Sequence, residues 1–151
     1  MTTTTPPAPE PKRSLRLALL GDHRRMEELI ENVGRCVSAD DRHGALGEWP
    51  ALERMLLAHM DLEEMLLFPK LSPSEAKAVG RLRAEHADIR ARLGEIGLAL
   101  ELHVARKAMF DDLVARLLDH AGREDEILYG WADRKLPERV LEALLRRRDD
   151  H

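Results

Sequence analysis

Apolar residues recur every three or four positions along four stretches of this chain, the spacing of helices that bury one face. The first stripe runs Leu15, Leu19, His23, Met26, Ile30, Val33, Val37. The second reads Leu52, Leu56, His59, Glu63, Leu66 and stops near Phe68-Pro69, since proline cannot continue a helix. The third is Val79, Leu82, His86, Ile89, Leu93, Ile96, Leu100. The fourth is Phe110, Leu113, Leu117, His120, Glu124, Ile127, Trp131. No segment alternates with a period of two, so no strand is predicted. In each stripe a histidine, or a histidine and a glutamate, stands where a core leucine belongs.

Helix one is expected from about Ser14 to Val37, and the polar run Ser38 to Gly47 interrupts the pattern. Pro50 either sits in the first turn of helix two or interrupts a helix that begins nearer Arg42. Helix three has a capping-box start: Ser72 as N-cap, Pro73 at the first position, Glu75 three residues on. Gly94 and Gly97 weaken it but suit close helix packing. A turn is expected near His103. Leu136-Pro137 closes the fourth segment, and a short fifth helix is expected within Pro137 to Arg148. Short connections between long helices favour an all-α, up-down-up-down antiparallel four-helix bundle over residues 14–137. Residues 1–13 are Thr/Pro-rich and read as a disordered tail, and 138–151 as a short C-terminal helix and tail.

Composition agrees with this picture. The chain has 151 residues, 44% hydrophobic, 34% charged and 3% aromatic, enough for one domain with a real core. A net charge of −4 implies no nucleic-acid surface. The single cysteine, Cys36, excludes an intramolecular disulfide and reads as a small buried hydrophobe. The N-terminal run MTTTTPPAPEPKR has no apolar core of a secretory signal, and no window reaches the ~18 apolar residues of a membrane span. A cytoplasmic location is expected.

The polar core positions carry the chemistry. A buried polar group without a partner costs on the order of 1–3 kcal/mol, so His23, His59, Glu63, His86, His120 and Glu124 must satisfy one another or share a partner. At a rise of ~1.5 Å per residue, His23 lies ~22 Å and His59 ~17–24 Å from the first turn. His86 and His120 lie within ~3 Å of one level from the last turn. All four histidines therefore fall in one mid-bundle layer. His59/Glu63 and His120/Glu124 are i, i+4 pairs, each on one helix face. Carboxylate with imidazole suits Fe, Mn, Zn or Co, and two carboxylates can bridge two metals ~3.5–4 Å apart. A lone core histidine is usually hydrogen-bonded and nothing more. A purely proteinaceous His–Glu network is the alternative here, and it is costly if half satisfied. His43, His103 and His151 fall outside the stripes and read as surface. Glu64, Asp61, Glu85, Asp88 and Glu126 face outward or sideways; one or two, with Asp22 or Glu85 as candidates, hydrogen-bond the imidazoles. Met26, Met55 and Met109 read as core filler, and Phe110 and Trp131 as closing the core.

The order His, His-x3-Glu, His, His-x3-Glu, one element per helix, resembles the hemerythrin-like family of HHE cation-binding domains. The surrounding segments carry the likeness: DHRRMEELI around His23, HMDLEEMLLFP from His59, LRAEHADIRARL around His86, and HAGREDEILYGWADRKLP from His120. Tyr129-Gly130 stands where the family usually has Phe-Pro. The resemblance spans about residues 14–137.

It implies a non-haem di-iron centre, with Zn or Mn as substitutes. His23, His59, His86 and His120 would be terminal ligands, and Glu63 and Glu124 would bridge. The oxygen-carrying hemerythrins have a further histidine four residues after the helix-three histidine, where this chain has Arg90. Their last carboxylate is an aspartate, and Asp125 stands at that position, but the apolar stripe favours Glu124. With four histidines an iron keeps an open position. The implied function is binding of, or response to, O2 or a related small ligand (peroxide, NO), in iron or redox sensing or storage. A sensor would need a protein partner. An enzyme turning over peroxide or NO, and a metal-free adaptor bundle, are the competing readings.

Overall fold

The computed structural model describes residues 13–150, so the predicted tail, save Arg13, and His151 lie outside the described residues. The described chain is all helix, with no strand among its residues. The long helices are α1 (Leu15–Ser38), α2 (Arg42–Leu62), α3 (Ala76–Glu101) and α4 (Lys107–Glu124). Two short ones follow, α5 (Gly130–Lys135) and α6 (Glu138–Asp149). α1 and α3 each pack on both α2 and α4.

Helix starts follow local chemistry. Ser14 caps α1 by accepting from the Leu17 amide at 3.2 Å. Asp41 caps α2 by accepting from the Gly44 amide at 3.0 Å, and a Cβ at Gly44 would collide with that carboxylate. α2 thus begins at Arg42 and carries Pro50 in its interior, where the missing N–H leaves the Leu46 carbonyl without its helical donor. The capping box expected at Ser72 does not form. Pro73–Glu75 makes a 3-10 turn, and Ser72 Oγ pairs with Ser74 Oγ at 2.6 Å instead of capping a backbone amide. His103 turns the chain between α3 and α4 at φ 62°.

Two places depart from the predicted stripes, and both matter for the site. Glu63–Leu67 and Asp125–Tyr129 are π-helical turns, each inserting one residue into the helical register. Leu67 and Phe68 are therefore buried where Leu66 was expected. Leu128, Tyr129 and Ala132 are likewise buried where Ile127 and Trp131 were expected; both of those are half-buried. Gly97 approaches Trp49, but Gly94 faces open space rather than a neighbouring helix. Cys36 is half-buried against the core.

The core falls into two apolar clusters. One includes Met26, Ile30, Leu52, Leu56, Ile89, Leu93, Phe110 and Leu113. The other includes Leu15, Leu19, Leu67, Phe68, Leu82, Tyr129 and three leucines of α6, Leu141, Leu144 and Leu145. The polar residues lie between these clusters along every long helix. No helix among the described residues is long and apolar enough to cross a membrane.

Candidate metal centre

Each long helix delivers one imidazole to the layer between the clusters. His23 comes from α1, His59 from α2, His86 from α3 and His120 from α4. Glu63 and Glu124 sit one turn beyond the histidines of α2 and α4, on the same faces. Both carboxylates are fully buried, and the histidines are 8% exposed or less. The six form two overlapping donor groups, each with its ligating atoms within 4.8 Å of one another. The first is His23, His59, Glu63 and Glu124; the second is Glu63, His86, His120 and Glu124.

Within the first group the Nε2 atoms of His23 and His59 lie 2.8 Å apart, and His23 Nε2 lies 3.1 Å from Glu124 Oε2. Within the second, His86 Nε2 lies 2.9 Å from Glu124 Oε1 and 4.0 Å from Glu63 Oε2. Glu63 Oε2 is buried with no hydrogen-bond partner. An unpaired carboxylate oxygen aimed into a ring of imidazole nitrogens is what a cation would satisfy. The donor set, nitrogen and hard oxygen with no sulfur, fits a first-row divalent ion.

The family model for the hemerythrin HHE cation binding domain matches residues 17–132. The chain belongs to this family. No curated protein and no solved structure matches it.

Charge in this HHE domain is distributed unevenly over the two carboxylates. Burial, then the nearby charge of Glu124, pushes the Glu63 carboxyl up to about 8. Glu124 is held well below the usual range: its own burial opposes ionisation, but hydrogen bonds from Glu63, His120, His23 and His86 outweigh it. Of the two carboxyls, Glu63 is thus the harder to ionise. Burial disfavours the imidazolium of His59, yet the Glu63 charge and the Asp22 carboxylate raise it to about 10. Burial lowers His23.

A second layer of carboxylates orients three of the rings. Glu85 Oε2 accepts from His120 Nδ1 at 2.6 Å, Glu64 Oε1 pairs with His86 Nδ1 at 2.9 Å, and Asp22 Oδ2 lies 3.8 Å from His59 Nδ1. Each is gripped in turn by an arginine. Arg123 donates to Glu85 at 2.6 Å, Arg90 to Glu64 at 2.8 Å, and Arg148 of α6 to Asp22 at 2.6 and 2.7 Å. Asp22 and Glu85 were candidates for this role from sequence; Glu64 was expected to face away. Arg90, standing where the oxygen carriers have a histidine, turns out to anchor Glu64. Asp88 and Asp61 do face outward, to Arg116 and Arg90. Asp125 pairs with Arg16 on the outside, and Glu124 takes the inward position.

Sequence reasoning missed Tyr129. It is fully buried, and its hydroxyl reaches Glu124 Oε2 at 2.6 Å, Glu63 Oε1 at 3.0 Å and His23 Nε2 at 3.1 Å. The departure from Phe-Pro at Tyr129-Gly130 was the available signal. A cleft of ≈ 410 Å³ lined by Leu19, Asp22, Met55, His59 and Arg148 leads from the surface to His59.

Proposed function

We propose that the domain holds two iron ions in this layer and that the centre binds or responds to O2 or a related small ligand such as peroxide or NO. His23 and His59 are the terminal ligands of one ion, His86 and His120 of the other, and Glu63 and Glu124 bridge them. The observation that carries this reading is that both carboxylates belong to both donor groups. Carboxylates shared in this way hold two metals ~3.5–4 Å apart. Zinc or manganese suits the same donors.

Bound iron supplies two accessible oxidation states and an exchangeable coordination position. The chain supplies the rest. Glu85, Glu64 and Asp22 face the Nδ1 atoms of His120, His86 and His59 and fix the orientation of the rings. The two apolar clusters keep water from the layer on either side. Arg90 adds no nitrogen to the second ion, which supports an open position there, and the cleft at His59 supports passage of a small molecule.

The bundle follows the up-down-up-down antiparallel course, in our reading. Ser14 at the start of α1 meets Asp133 in α5, while Gly34 near its end meets Phe110 near the start of α4. Glu85, Asp88 and Arg92 of α3 face Arg123, Arg116 and Asp112 of α4 in reverse order. A role in sensing or storage fits a single small domain, with a protein partner receiving the signal. Turnover of peroxide or NO at the open position is the second reading.

Exposing the Fe(II)-loaded protein in turn to O2, hydrogen peroxide and NO tests the proposal. Absorption changes with at least one are expected. A spectrum indifferent to all three contradicts the small-ligand role.

A further inference from the structure

The two His-x3-Glu helices each place an aromatic ring beyond the carboxylate. Phe68 follows Glu63 by five residues, just past a π-helical turn, and Tyr129 follows Glu124 by five, at the end of one. Phe68 stacks on His86 with ring centroids 5.5 Å apart, and Tyr129 leans on His23 at 5.6 Å. The two aromatic rings thus line matching sides of the layer. Phe68 carries no polar atom on its ring, whereas the Tyr129 hydroxyl points into the first donor group.

That hydroxyl has one proton to donate. It faces four atoms that accept or coordinate: Glu124 Oε2 at 2.6 Å, Glu63 Oε1 at 3.0 Å, His23 Nε2 at 3.1 Å and His59 Nε2 at 3.3 Å. One proton cannot serve all four at once. Around the hydroxyl lie the four donors of the first group, with His23 against His59, His59 against Glu63 and Glu124 against His23, and all four ligating atoms within 4.8 Å of one another. Donors ~2.1 Å from a metal on adjacent vertices of a square pyramid or octahedron sit ~3.0 Å apart. The phenol oxygen lies 2.6–3.3 Å from all four, the spacing expected of a fifth donor to the same ion.

We propose that Tyr129 is a ligand, binding as phenolate to the ion held by His23 and His59. The proposal rests on the di-iron reading above. The O–H bond breaks as the oxygen–metal bond forms, and the proton leaves to solvent; no electron is transferred. A hard, anionic oxygen favours ferric iron. The two ions become unequal, with five protein donors on one and four on the other.

The chain contains a single tyrosine, so any phenolate signal has one source. The test is resonance Raman spectroscopy of the iron-loaded, air-oxidised protein, with iron counted per chain. The expected result is a visible charge-transfer band whose excitation enhances phenolate ring modes that shift on ring-deuterated tyrosine. Tyr129→Phe, with its retained iron counted alongside, should lose both band and modes. Iron bound by the natural chain without tyrosine modes overturns this proposal alone. Modes that persist in Tyr129→Phe overturn it too. A chain that takes up no iron overturns both this proposal and the reading beneath it. If Tyr129→Phe fails to fold, the labelled natural chain decides by itself.

Discussion

Glu85 reaches from α3 to α4 and holds His120 Nδ1 at 2.6 Å, while Arg123 of α4 holds Glu85 at the same distance. Burial works against ionisation of Glu85, but Arg123 and His120 keep its carboxyl below the usual range, so it remains an anion. Removing such an orienting partner typically costs 10–100-fold in metal affinity. Glu85→Ala should weaken iron binding by about that factor while leaving helicity unchanged. Competition against a chelator of known affinity measures it, and an unchanged affinity would show that His120 is placed by packing alone.

Glu63 and Glu124 are fully buried, each against the histidine one turn before it. Removing one partner of a buried pair leaves the other uncompensated and typically costs about 3–5 kcal/mol. Metal-free Glu63→Leu, which strips His59 of its carboxylate, should therefore unfold earlier than the metal-free natural chain. Added Fe(II) should raise the melting temperature of the natural chain and not of the variant, because binding to the native state alone stabilises it. Thermal unfolding of both proteins with and without Fe(II) provides the comparison.

Metal uptake should release protons. With His59 raised to about 10 and Glu63 to about 8, the His59–Glu63 pair holds protons at neutral pH in the metal-free chain. Ligation requires neutral imidazole and ionised carboxylate, so those protons must leave. Affinity should therefore rise between pH 6 and 8 and fall as the solution is acidified. Calorimetry in buffers of different ionisation enthalpy reads the proton count directly. A binding enthalpy independent of buffer would refute the assignment.

Arg148 ties α6 to α1 through Asp22 and lines the cleft that leads to His59. Arg148→Ala should cost about 1 kcal/mol, given that the pair is partly solvated. It should also speed removal of bound metal by a chelator, since both the cleft wall and the Asp22 anchor are loosened. Stopped-flow transfer to a chromogenic chelator measures the rate, and a rate equal to that of the natural chain would mean that metal leaves by another path.

The four helices and the six inward polar residues were legible because helical periodicity exposes a misplaced polar group: His86 falls on the core stripe between Leu82 and Ile89. The π-helical turns after Glu63 and Glu124 were not legible. They arise from how the backbone accommodates the site, and no residue type announces them. Each shifts the register by one, which is why Leu67 replaced Leu66 and why Tyr129 moved from the flank of the stripe to its centre. Glu64 was misjudged as well. It lies beside the core face, where its long side chain reaches across to His86 Nδ1 and is held by Arg90 of α3.

Counting iron per chain after anaerobic Fe(II) titration and removal of unbound metal tests the central claim most directly. Two irons per chain, reduced below one by His59→Ala or Glu63→Ala, is the predicted result. A natural chain that retains none, or only one, would contradict a di-iron centre built on shared Glu63 and Glu124.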